Sequence, residues 1–135
     1  MGCWAINSFG NDTAAEWLAE LLGKLDLEGV RQAVTQALAG DGEIDSSDAT
    51  EALVAIEVVA AALGRPTLAA RDKPELLAWV KRLGPSPDAS LVADSERALD
   101  RILGPQSELN ELWEETSDYD EWRADVANLR ARLQA

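Results

Sequence analysis

Apolar residues recur at three- and four-residue steps along most of this chain, and each such run draws one face of a helix. From Thr13 the run is Ala14, Trp17, Leu18, Leu21, Leu22 and Leu25; Thr13 and Glu16 are spaced as a capping box, Asn11 and Asp12 are alternative caps, and Gly23 is the stop. A second run after Asp26 holds Leu27, Val30, Val34, Ala37 and Leu38 and stops at Gly40. The stretch EALVAIEVVAAALGRP is apolar on nearly every side, which predicts an enclosed central helix. It enters at Asp48 with Glu51 as capping partner and ends at Gly64 and Pro66. A further helix is expected after Asp72, with Glu75 reaching back and Leu76, Trp79, Val80 and Leu83 on one face. Another follows the PSPD turn around Leu91, Ala98, Leu99 and Ile102 and closes at Gly104 and Pro105.

The C-terminal segment has two stripes, Leu109-Leu112-Trp113-Thr116 and Trp122-Val126-Leu129-Leu133. At about 100° per residue Trp113 and Trp122 fall roughly half a turn out of phase, so one straight helix cannot bury both. A break near Ser117 and Asp118, with Asp118 capping and Glu121 three residues on, lets both face inward. No run alternates polar and apolar, and no solenoid repeat is present. The pattern therefore predicts a compact all-α single domain of about six helices over 11–135, preceded by an ordered extended segment over 1–10 that packs on it.

The 135 residues suffice for one domain with its own core, and the 47% hydrophobic fraction is dominated by the helix formers Ala and Leu with Val. A formal charge of -13 argues against attachment to nucleic acid or to an anionic membrane surface and leaves a basic protein as the fitting partner. No apolar run is long enough to span a bilayer. The start Met1-Gly2-Cys3 lacks the Ser or Thr that an acylation signal wants, since position six is Ile6. With Cys3 as the single cysteine no internal disulfide forms, and a cytoplasmic setting is expected.

The chain contains no histidine, which removes histidine-based nucleophilic triads and histidine-ligated zinc. No GxxxxGK phosphate loop occurs, and the glycines fall at helix ends. Two acidic stretches invite a cation. The first, Asp41, Glu43, Asp45 and Asp48, fails as an EF-hand because Ser46 and Ala52 stand where Gly and Glu are needed. The second, Glu108, Glu111, Glu115 and Asp118, is spaced like one magnesium-holding ridge of an all-α hydrolase, but no second ridge faces it. No catalytic residue, cofactor or metal site is assigned, and the expectation is not an enzyme.

Two features ask for another account. Glu57 sits in the stripe of Leu53 and Ala60 and is expected to face the interior, where a carboxylate needs donors. The N-terminal segment offers them: Trp4 and Phe9 are expected to plug an opening between helices and Asn11 and Asp12 to cap the first helix, while the indole of Trp4 or Trp17 or nearby amides tie down Glu57. The residues Met1-Gly2-x-Trp4, Phe9-x-Asn11-Asp12-x-Ala14-x-x-Trp17, AIEVVAAALGRP and the late Leu-Trp resemble a group of small bacterial proteins catalogued as domain of unknown function forty-two fifty-nine. The chain departs from that pattern at Ala5, where the family has Gly, and at Asn7. Such proteins have no assigned activity, so the resemblance implies a fold and leaves function open.

The reading that fits best is a non-enzymatic protein-binding module. Its alternatives are an acidic immunity-type inhibitor of a basic toxin, a regulatory subunit joined to its partner or a second copy through exposed Trp side chains, and the carboxylate-dependent hydrolase above. The expected partner surface is Glu114, Glu115, Asp118, Tyr119, Asp120 and Glu121. Oligomeric state is left open.

Overall fold

The computed structural model describes residues 12–24, 26–40, 42–84 and 86–134, and these form eight helices. They are α1 (Asp12–Leu22), α2 (Glu28–Leu38), α3 (Ser46–Ala62), α4 (Leu68–Arg71), α5 (Pro74–Leu83), α6 (Ala89–Ile102), α7 (Glu108–Glu114) and α8 (Tyr119–Ala131). The extended segment 1–10, with Trp4 and Phe9, and the cap candidate Asn11 lie outside the described residues.

The fold class is the expected one, with eight helices in place of about six. The C-terminal segment divides in two as its stripes require, and α4 is a single turn that the apolar pattern is too short to announce. Its Thr67 caps it, the hydroxyl accepting the Ala70 N–H at 3.2 Å. Asp72 therefore ends α4 instead of opening α5, which begins at Pro74 without a side-chain cap, as proline's missing N–H allows. Helix α3 starts three residues earlier than expected: Asp45, not Asp48, is the cap, its carboxylate accepting the Asp48 N–H at 2.8 Å. Thr13 lies inside α1, which already includes Asp12.

Helix α3 is central. It packs against each of the other seven helices and is buried from Ala52 through Ala61. Its alanines let neighbours approach closely, while Leu53, Val54, Ile56, Val58 and Val59 fill the core. Burying a Leu, Ile or Val side chain stabilises the fold by roughly 1.5–3 kcal/mol, so this helix anchors the domain through packing. It closes in a Schellman motif: Gly64, at φ 84°, donates to the Ala61 carbonyl at 3.0 Å and Arg65 donates to Ala60 at 2.9 Å. The reversal sends the chain back along α3, which brings Thr67 beside Glu57.

The two inter-helix loops around α3 and α7 are stitched together. Ile44 donates to the Gln106 carbonyl at 2.9 Å, Glu108 donates to Ile44 at 3.0 Å, and the Glu108 carboxylate accepts the Ser46 N–H at 2.6 Å. This short parallel bridge is the sole pairing of extended backbone among the described residues. Arg101 completes it, donating to the carbonyls of Ala39, Gly40 and Gly42 at 3.0, 3.3 and 2.6 Å. A guanidinium thus serves the acidic loop's carbonyl oxygens and the negative end of α2.

Trp113 and Trp122 stack with ring centroids 5.8 Å apart and 9° between planes, and Tyr119 lies 6.3 Å from Trp122. Trp79, Trp113 and Trp122 are buried, so none of these three is the exposed docking side chain that one alternative invoked, and Trp17 is half-buried.

Candidate functional site

Glu57 is buried as its place in the stripe predicts, with 1% of its surface exposed. The Thr67 hydroxyl donates to it at 2.6 Å while accepting from Ala70, so one threonine joins the carboxylate to the start of α4. The pattern of the chain gave no sign of this donor, because it depends on the turn after Gly64. Glu57 is not among the residues that line the groove described below.

The expected partner surface forms the corner between α7 and α8. Glu114, Glu115, Asp118, Asp120 and Glu121 are exposed, together with Glu111. Tyr119 behaves differently. Its hydroxyl donates to the Asn110 side chain at 2.9 Å, and the Arg123 guanidinium reaches both that amide, at 3.2 Å, and the tyrosine oxygen, at 3.1 Å. The tyrosine therefore belongs to the aromatic cluster beneath the corner and leaves the carboxylates as the surface. Asp118 precedes α8 but makes no side-chain cap bond; the Thr116 hydroxyl accepts its N–H at 3.2 Å instead. Of the four acids spaced as a metal ridge, Glu108 is engaged at Ser46, and no group of three or more His, Cys, Asp or Glu able to hold a metal occurs among the described residues.

Trp17 leads elsewhere. Helices α1 and α2 diverge over α3 to leave a groove of about 280 Å³, walled by Trp17, Glu20 and Lys24 on one side and by Gln32 and Gln36 on the other. Helical spacing places Trp17 with Glu20 and Gln32 with Gln36, since residues three or four apart share a face, and Lys24 follows just past the end of α1. Gly29 permits the close approach at one end, since a Cβ there would stand 3.2 Å from the Leu21 side chain. Glu51, from the first turns of α3, completes the lining. Expected as a capping partner, it faces this space because the helix entry lies three residues earlier.

Glu51 is held above the ordinary glutamate range, first by desolvation and then by the charges of Asp48, Asp45 and Glu20. A carboxylate with a raised folded-state pKa weakens the fold in its ionised form, and the penalty is present above that pKa and relieved as pH falls through it. Glu51→Gln is therefore expected to raise the thermal midpoint at neutral pH, with the gain over wild type shrinking as the solution is acidified through the glutamate range. Melting curves at several pH values check this; a variant that melts lower at neutral pH contradicts it.

The family model Domain of unknown function (DUF4259) matches residues 2–125, nearly the whole chain. The chain belongs to that family. Membership in DUF4259 is what the start of the chain and its Ala-rich helix implied, and the matched region includes both the α1–α2 groove and the α7–α8 corner. No curated protein and no solved structure matches this DUF4259 chain. Of its groove residues, Glu20, Gln32 and Gln36 were not singled out by the sequence, and Glu51 was expected only as a capping partner. The one available signal was the pair Gln32 and Gln36, two amides four residues apart on the polar side of an amphipathic helix. Chemically, both surfaces offer hydrogen-bond acceptors and negative charge.

Proposed function

We propose that this DUF4259 protein is a non-enzymatic binding module for a basic protein, working in the cytoplasm. The α7–α8 corner carries the reading. Glu111, Glu114, Glu115, Asp118, Asp120 and Glu121 are all exposed, and no Lys or Arg occurs between Arg101 and Arg123. The two arginines that flank this stretch are turned to other tasks, Arg101 on the loop carbonyls and Arg123 on Asn110, Tyr119 and the Leu103 carbonyl. The ion pairs Arg31–Asp88, Arg97–Asp94 and Arg130–Asp100 lie away from it. Carboxylates left in this state repel one another, and a complementary positive surface relieves the repulsion and speeds encounter. The same potential disfavours nucleic acid. No helix among the described residues is long and apolar enough to cross a membrane.

Affinity capture from the native organism, using the full chain as bait, tests the proposal. The expected result is a basic protein retained at low salt and released at about 1 M salt, where the Debye length falls to about 3 Å. A bait carrying Glu114→Gln, Glu115→Gln, Asp120→Asn and Glu121→Gln is expected to lose it. Capture indifferent to both salt and these changes would defeat the proposal. If the captured protein is a toxin-like nuclease, the acidic immunity-type form of the reading is the one that applies.

A further inference from the structure

We infer that the α1–α2 groove receives the guanidinium of an arginine side chain presented by the partner. The inference rests on the reading that the partner is a basic protein, but on a surface separate from the α7–α8 corner. At about 280 Å³ the groove lies just below the range of roughly 300–1,000 Å³ typical of small-molecule pockets, a size suited to one long side chain.

Its chemistry selects a planar cation. Trp17, half-buried against the core, gives an aromatic surface on which a guanidinium can stack. Glu20 and Glu51 supply two carboxylates against the single ammonium of Lys24, leaving the lining one negative charge in excess. Among the described residues neither carboxylate accepts a hydrogen bond or forms an ion pair, and the Trp17 indole N–H has no acceptor. Gln32 and Gln36 add side-chain amides, each with an oxygen able to accept, to the facing wall. The Gln36 amide nitrogen donates to the Asp48 carboxylate at 3.5 Å. Five N–H donors in a rigid fork match this spread of acceptors better than the three of a lysine ammonium. The crowding of Asp45, Asp48 and Glu20 around Glu51 acts in the same direction, since an arriving cation relieves it.

The test is a heteronuclear NMR titration of the full chain with the capped peptide acetyl-Gly-Arg-Gly-amide and with its citrulline counterpart, which has the same shape without the charge. The arginine peptide is expected to shift the Trp17 indole N–H and the side-chain amides of Gln32 and Gln36. The citrulline peptide is expected to bind about tenfold more weakly, the loss of one charge-assisted contact. Glu51→Gln is expected to weaken the arginine peptide about fivefold to tenfold while its melting point rises, so that misfolding does not explain the loss. The four-residue α7–α8 variant is expected to bind the peptide within about twofold of wild type, its changes lying outside the groove. Equal affinity for the two peptides, an unaffected Glu51→Gln, or shifts centred on the α7–α8 corner each overturn the inference. If capture yields a basic partner that needs the corner while the groove ignores the arginine peptide, the inference fails and the proposed function stands.

Discussion

Trp79→Ala is expected to destabilise the domain by about 3–5 kcal/mol, a large share of the roughly 5–15 kcal/mol that holds a domain of this kind together. The ring is 1% exposed in α5, the helix that packs against both α1 and α3, so its removal leaves a cavity between three elements. It also removes a hydrogen bond. The indole N–H donates at 2.6 Å to the carbonyl of Lys24, just past the end of α1, and so pins the start of the α1–α2 connection. Trp79→Phe separates the two contributions, because it keeps most of the apolar volume and leaves the carbonyl without its donor. That variant is expected to lose about 1–2 kcal/mol. Urea unfolding followed by far-ultraviolet circular dichroism measures both, and a loss below about 1 kcal/mol for the alanine variant would show that the ring is not the wedge described.

Loss of the buried carboxylate ranks second. Glu57→Ala is expected to cost about 2–4 kcal/mol, since it opens space inside the central helix and strands the Thr67 hydroxyl that donates to it at 2.6 Å. Glu57→Gln keeps an oxygen for that hydroxyl and is expected to cost less, about 1–2 kcal/mol. The Thr67 change is informative in a different way. Thr67→Val holds the volume but removes both the donor to Glu57 and the cap of α4, so α4 should loosen, seen as faster amide exchange at Ala70, whose N–H the hydroxyl accepts. Unfolding energies of both Glu57 variants within about 0.5 kcal/mol of wild type, the scale of ordinary surface changes, would remove the structural role assigned to this acid.

Most of the helices were legible because their apolar periodicity is long and their stops are glycine or proline. Gly64 shows why such reading works: the φ of 84° found there is one that glycine adopts without the clash a Cβ brings. The half-turn offset between Trp113 and Trp122 was equally informative, since no straight helix satisfies it and the break between α7 and α8 lets the rings stack. Helix entries were harder. Asp45 and Asp48 both suit a cap, and the choice of Asp45 depends on the bridge of Ile44 to Ser107 and on Glu108 holding the Ser46 amide, contacts between segments some sixty residues apart. That single shift turned Glu51 from a capping partner into part of the groove. The four-residue α4 has too few residues for a period to be visible.

The candidate sites divide in the same manner. That Glu57 is interior follows from the period of its helix, and that the α7–α8 corner is rich in acid follows from composition alone. That Tyr119 turns inward, that Arg101 and Arg123 are committed to carbonyls and an amide, and that Trp17 stands across from two glutamines are consequences of packing.

By itself, then, the order of residues determined an all-α domain around an Ala-Val helix with a large excess of negative charge, because helical period, stop residues and charge are local properties of the chain. Only the tertiary structure decided which carboxylates meet a donor or a cation and which face a groove. Those outcomes depend on donors that distant segments bring within about 3 Å, the reach of a hydrogen bond.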